Sequence, residues 1–208
     1  MFSGSMEVKE RIIVESGILF GKYGIRSMTM DALAEEMGIS KRTIYEKFRD
    51  KDTLLLEVIE YYREKRTREA HLIIEESENV IVAMFSLVKI IVSQIEQMNP
   101  LFFHDVRKYH TRVYRQLFVP GAIRDFSITE KLLSKGVEQK VFRDDFNPEI
   151  VSRTLHSLFD LFGHESSLLE AGYNRKQLFD NCIIPFLRGI STAKGVALIE
   201  ENKRKLDH

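Results

Sequence analysis

The residues best suited to chemistry lie in one run, Thr29-Met-Asp-Ala-Leu-Ala-Glu-Glu-Met-Gly-Ile-Ser-Lys-Arg-Thr-Ile-Tyr-Glu-Lys-Phe-Arg-Asp-Lys51. From Met37 to Lys51 it holds five basic residues (Lys41, Arg42, Lys47, Arg49, Lys51) against two acidic ones (Glu46, Asp50). That is a local excess of three positive charges in a chain whose 31 basic and 31 acidic residues cancel. Phosphates are drawn to such a patch, and base edges are read by long hydrogen-bonding side chains beside it. Net charge gives no argument for nucleic acid, so any attraction is local. Catalytic chemistry has no comparable cluster: there is no glycine-rich phosphate loop and no cysteine–histidine spacing that suggests a nucleophile. His156, Asp160 and His164 recur every four residues and would share a helix face. The outer histidines would then stand about 12 Å apart at about 1.5 Å rise per residue, awkward for one ion with ligands near 2 Å. No metal, no cofactor and no enzymatic activity are expected.

The elements that position the basic run are two short helices meeting at a glycine. Thr29 can cap the first, with Met30, Leu33, Ala34 and Met37 as its buried face. Gly38 takes the tight turn and Ser40 caps the second, whose Ile44 and Phe48 turn inward. Ala34 is small where the helices cross. This is helix-turn-helix logic: the apolar residues fix the angle and leave one face of the short helix free. The free face carries Lys41, Arg42, Thr43, Tyr45 and Lys47. A preceding helix shows Ile12, Ile13, Leu19, Phe20 and Tyr23 on one side and ends at Gly24; a long following one is capped by Asp50.

Helical periodicity continues through the rest of the chain, with no strand signal. Asn79 to Met98 is apolar nearly all round and is expected to be buried on most sides. The longest apolar run, Val80 to Val92, contains Lys89 and falls well short of the roughly 20 residues a membrane span needs. After breaks at Asn99-Pro100 and Pro120-Gly121, Asn147-Pro148-Glu149 signals another helix start; that helix should bury Val151, Leu155, Leu158, Phe159 and Phe162 and end at Gly172. Asn174 should cap the last, which buries Leu178, Phe179, Cys182, Ile183, Phe186, Leu187 and Ile190 and is kinked or ended by Pro185. The expected fold is all-α, divided into a DNA-binding domain over 1–50 and a second helical domain over 51–208, to which a family resemblance assigns ligand binding and dimerisation.

Residues 9–56 resemble the DNA-binding domain of the tetracycline-repressor (TetR) family. The match runs from Phe20 to Gly24 through Thr29, Ala34, Gly38, Ser40, Thr43-Ile44-Tyr45, Phe48, Lys51 and Leu54-Leu55. The remaining three-quarters matches in layout alone. The resemblance implies that Thr29, Ser40, Thr43, Tyr45, Lys47 and Lys51 contact phosphates or groove walls, and that Lys41 and Arg42 read bases. Arg42 departs from the pattern, since many members have a small residue there, and Lys47 stands where a histidine is frequent. The resemblance also implies a homodimer paired through the last two long helices, using Leu155, Leu158, Phe159, Phe162, Phe179, Ile183, Phe186 and Ile190. Recognition helices would then lie about 34–36 Å apart, or further for wider half-sites.

The expected function is a ligand-responsive DNA-binding regulator, with repression as its sense, acting on a palindromic double-stranded operator. An apolar or aromatic effector would be held by Val82, Phe85, Val88, Ile91 and Ile95 with Phe102, Phe103, Tyr109, Tyr114, Phe118 and Phe126, beside Tyr62; His104, His110 and the tyrosine hydroxyls would supply polar groups. A helix running from Asp50 past Tyr61 and Tyr62 would transmit its binding. The rivals are a helical protein-interaction adaptor and a small-molecule enzyme. Cys182 is the single cysteine, which excludes an internal disulfide and fits a reducing compartment. The segment Met1–Lys9 is too short and polar for a signal peptide, and Met6 is a candidate start. Location is expected to be cytoplasmic, without a membrane partner.

Overall fold

Local capping sets where the helices begin. Thr29 Oγ1 accepts the backbone N–H of Ala32 (3.1 Å) at the start of α2 (Met30–Glu36). Ser40 Oγ accepts that of Thr43 (3.0 Å) at α3 (Lys41–Lys47), and Asp50 Oδ1 that of Thr53 (2.7 Å) at α4 (Lys51–Glu76). Each bond satisfies a donor that a helix N-terminus otherwise leaves open. Gly24 (φ 82°) closes α1 (Val8–Tyr23) and Gly38 (φ 63°) turns the chain between α2 and α3, both in left-handed backbone that suits glycine.

The computed structural model describes residues 7–117, 126–163 and 166–206. The further helices are α5 (Val80–Gln97), α6 (Leu101–Tyr109), α7 (Thr111–Leu117), α8 (Ser127–Glu138), α9 (Pro148–Asp160), α10 (Ser167–Glu170), α11 (Arg175–Leu178), α12 (Ile184–Ile190) and α13 (Ala193–Leu206). Among the described residues, extended pairing is limited to an isolated antiparallel bridge between Phe142 and Ser191. The fold is all-α.

Packing divides the described chain into two compact units, residues 7–67 with 97–117, and 68–96 with 126–163 and 166–206. This differs from a division at residue 50. Leu54, Leu55 and Val58 of α4 share one buried cluster with Phe20, Ile44 and Phe48, and Phe102, Val106 and Val113 join it. In this first unit α6 is fastened by polar bonds: the Asn99 N–H donates to Gly21 O (2.9 Å), and the Arg26 N–H to buried Asp105 Oδ2 (2.9 Å). His110 Nδ1 lies 2.5 Å from Asp52 Oδ1.

The second unit is built on α5. Asn79 Oδ1 caps it by accepting the N–H groups of Ile81 and Val82 (3.0 and 3.1 Å), and Val80, Ile81, Ala83, Met84, Phe85 and Val88 are buried. Burial on most sides does not extend along the whole helix: Ile90 and Ile91 are 38% and 37% exposed. By length and composition α5 is apolar enough to cross a membrane (18 residues, mean hydropathy 1.6), although its first half is core. Gly136 of α8 sits under Phe142; a Cβ there would fall 2.1 Å from the ring. Asn147 caps α9 as its sequence predicts, accepting from Glu149 and Ile150. The helix ends at Asp160 rather than at Gly172, because Leu161 and Phe162 turn back to the carbonyls three residues behind (3.2 and 3.0 Å). Gly172 (φ 92°) instead follows α10.

Asn174 opens α11 with a reciprocal capping box to Gln177. The irregularity expected at Pro185 precedes it, as a π turn over Phe179–Ile183, where the Ile184 N–H reaches back to Phe179 O. Beyond this wider turn α12 continues to Ile190 with Pro185 in its first turn. Leu178 and Ile183, five residues apart, are both buried.

Candidate nucleic-acid interface

The angle between α2 and α3 is fixed from within. Ala34 is buried at the crossing, the Ile39 N–H donates to Ala34 O (2.9 Å), and Ile44 and Phe48 are fully buried. With those positions inward, Lys41, Arg42, Tyr45, Glu46 and Lys47 face outward. Tyr45 is 50% exposed, a large ring held out in water. Thr43 Oγ1 lies 2.8 Å from Ser40 Oγ, so one hydroxyl donates to the other at the helix start. Lys47 has no ion-pair or hydrogen-bond partner among the described residues. Between α2 and α3 lies a concavity of about 470 Å³ lined by Thr29, Asp31, Ala32, Ala34, Glu35, Ile39 and Lys41.

The eight sequence-predicted contact residues are brought to this first unit with differing freedom. Thr29, Ser40, Lys41, Arg42, Tyr45 and Lys47 are exposed and Thr43 is half-buried. Lys51 is turned inward: its ammonium donates to Ile25 O and stands over the Phe20 ring (5.8 Å to the centroid). Burial pushes its pKa below the usual lysine value. A phosphate would have to draw Lys51 away from that carbonyl.

Two acidic partners were not picked out by the sequence reading. Lys41 Nζ is 2.5 Å from Asp31 Oδ2, and Arg42 Nε is 2.6 Å from Glu46 Oε1. The hydrogen bond to Asp31 raises the Lys41 pKa above the usual lysine value. Spacing of i, i+4 on one helix was the available signal for Arg42–Glu46; nothing local announced Lys41–Asp31.

The residues expected to line an effector pocket are distributed over both units. Tyr62, Phe102, Phe103 and Tyr114 pack with the first unit's core, whereas Phe85 is core of the second, edge-on to Phe179 (5.5 Å between centroids). His104 is exposed. Tyr109 is 43% exposed, its hydroxyl accepting from Arg26 Nη1 (3.1 Å). His110 pairs with Asp52. Phe126 lies against His156 (4.7 Å between centroids), and Phe118 lies outside the described residues.

Of the eight residues expected at a dimer interface, Leu155, Phe162, Ile183 and Ile190 are buried within the second unit's own core. The other four, Leu158, Phe159, Phe179 and Phe186, are partly buried against it. Broad apolar faces here serve intramolecular packing first. His156 Nε2 lies 2.8 Å from Thr129 Oγ1, His164 is outside the described residues, and among those described no three His, Cys, Asp or Glu side chains group as metal ligands.

Residues 12–58 match the family model described as bacterial regulatory proteins, tetR family. The likeness to the tetR family is thus established for this N-terminal stretch. YvaF of Bacillus subtilis (strain 168), described as an uncharacterized HTH-type transcriptional regulator, is 29% identical to this chain over 143 residues, covering 68% of the chain and 73% of YvaF. YerO of the same organism, with the same description, is 48% identical over 56 residues, 27% of this chain and 19% of YerO. The match thus spans about a fifth of YerO's length. Among solved structures, Thermus thermophilus FadR, a TetR-family transcriptional repressor in complex with lauroyl-CoA, aligns with a TM-score of 0.61 at 19% identity, over 88% of this chain and 95% of that one. A gamma-butyrolactone receptor (ArpA-like protein) aligns with a TM-score of 0.58 at 17% identity, over 96% and 97%. At these identities the structural likeness establishes a shared all-α architecture.

Proposed function

We propose that this chain is a DNA-binding transcriptional regulator that binds a palindromic operator as a two-fold homodimer and represses until a small molecule releases it. The observation that carries the reading is the outward face of α3, where Lys47 stands unpaired beside half-exposed Tyr45 on a helix whose other side is fully buried. Lys47 supplies a phosphate contact, Tyr45 a phosphate or groove-wall contact, and Lys41 and Arg42 read base edges. Thr29, Ser40 and Thr43 add hydroxyls near the backbone, and Lys51 joins them when it leaves Ile25 O. Such a protein works in the bacterial cytoplasm, where its operator is, and needs no turnover chemistry.

Dimerisation is proposed through the partly buried Leu158, Phe159, Phe179 and Phe186, which a second copy would cover. An apolar or aromatic effector is supported by the apolar character of α5 and by structural relatives named for lauroyl-CoA and gamma-butyrolactone. It acts only so far as it binds two states differently.

The test begins with selection of a preferred duplex from a random pool, followed by titration of a Tyr45→Ala, Lys47→Ala double variant checked for helicity. Loss of operator binding is expected, and Lys47→Ala alone should flatten the salt dependence by about one unit of slope. Unchanged binding by the folded double variant sinks the assignment. Light scattering at micromolar concentration reads the dimer; operator release by acyl thioesters or lactones reads the effector class.

A further inference from the structure

Two of the three cations on the outward face of α3 are already neutralised, and Lys47 is not. The paired side chains are well exposed: Lys41 is 67% accessible beside Asp31, and Arg42 is 87% accessible beside Glu46. We infer that Asp31 and Glu46 are specificity-determining residues, which hold the base-reading cations in internal ion pairs and so suppress sequence-independent attraction to phosphate while leaving donors for neutral base edges. The inference rests on the DNA-binding reading above.

The geometry of Arg42 makes the distinction concrete. Glu46 occupies Nε, whereas the Nη donors have no partner among the described residues. That remaining edge is the one that can meet guanine O6 and N7. A phosphate oxygen at the same edge would carry a full negative charge toward the Glu46 carboxylate; guanine's acceptors are neutral and meet far less repulsion. Glu46 also offers an acceptor that cytosine N4 can use. Around Lys41 the concavity holds two carboxylates, Asp31 and Glu35, against one ammonium, so its field disfavours a phosphate. Sequence-independent binding arises from phosphates displacing their counterions onto protein cations. A cation that already has a carboxylate partner contributes less to it. Lys47 supplies that undirected attraction, and the two paired cations supply discrimination.

The experiment compares Glu46→Gln, Asp31→Asn and the double variant with wild type and with Glu10→Gln. The last makes the same charge change on α1, where Glu10 is exposed. Each is titrated by fluorescence anisotropy against a labelled scrambled duplex and the selected duplex, from about 50 to 200 mM salt. Glu46→Gln and Asp31→Asn should each tighten scrambled-duplex binding about two- to fivefold and steepen its salt slope. The ratio of selected to scrambled affinity should fall, and Glu10→Gln should change neither quantity. The inference is overturned if Glu46→Gln leaves scrambled binding and salt slope at wild-type values, or if Glu10→Gln has an equal effect. Glu46 is 56% exposed in the last turn of α3 and caps nothing, so this variant keeps the test open should Asp31→Asn fail to fold. If wild type binds no duplex at all, the DNA-binding reading fails as well, which separates the two failures.

Discussion

In the first unit, the side chains proposed to act stand on the outside of a seven-residue helix, α3, and are placed by bonds reaching three or four residues along the chain. In the second, the large side chains of α9 and α12 turn into a core gathered from Ile74 to Ile199. The same residue classes therefore mean different things in the two places. A polar residue left outside by a tightly specified turn is available for a partner. An apolar residue on a long helix has a prior claim from its own core, and only what that core leaves half covered is free to bind anything.

The sharpest way to break this contrast is in the second unit. Phe162→Ala should cost about 3–5 kcal/mol in chemical denaturation, as removal of a large buried ring does, because Phe162 is 1% exposed. Phe186→Ala should cost less folding stability and weaken self-association instead. Equal losses at the two positions would erase the distinction between core and proposed interface.

Glycines give a second comparison. Gly136→Ala should lose about 1–3 kcal/mol by overpacking, because its Cβ would meet the Phe142 ring. Gly21→Ala in α1, with nothing within 4 Å of the added carbon, should gain about 0.4–1 kcal/mol. Denaturation midpoints moving in the same direction would contradict the packing described for α8. In the first unit, Ser40→Ala should cost about 0.5–2 kcal/mol, since Ser40 Oγ serves the amide of Thr43 and its hydroxyl. Its expected companion is weaker operator binding; an unchanged melting curve would show that α3 does not depend on its cap.

The smallest effect is a pH dependence. Bonds from the Thr53 amide and hydroxyl hold the Asp50 carboxyl below the ordinary aspartate pKa. A group depressed on folding contributes stability above its unfolded pKa and loses it as pH falls through the folded value. The contribution is thus complete above roughly pH 5 and fades below about pH 4. Asp50→Asn should flatten that acid limb slightly, and a melting series showing the wild-type slope would count against the cap.

Legibility in the sequence follows the range of the interactions. Caps at Thr29, Ser40, Asp50, Asn147 and Asn174, and glycine ends at Gly24 and Gly38, depend on neighbours within a few positions, and the fold uses all of them. Gly172 closes α10 and not α9, because the chain already turns at Leu161–Gly163, where the sequence carries no strong breaker ahead of the turn. The division within α4 and the allegiance of α6 depend on which distant residues share a cluster with Phe102 and Val106, which periodicity does not encode. On the candidate surface, outward residues of α3 were legible by type and spacing. The inward turn of Lys51 and the Asp31 partner of Lys41 were not, since each depends on a contact across a turn.

The π turn at Phe179–Ile183 has a consequence for chain length. Leu178 and Ile183 are both buried although they stand five positions apart, one more than an α-helix uses to bring side chains into line. Removing one residue from the segment between them would leave the pair four apart and let a regular helix run from Arg175 toward Ile190. The same core could then be filled by chains differing by one residue here, so this is a point of tolerated insertion or deletion inside a helix, where loss of a single residue elsewhere would rotate every following side chain away from its place.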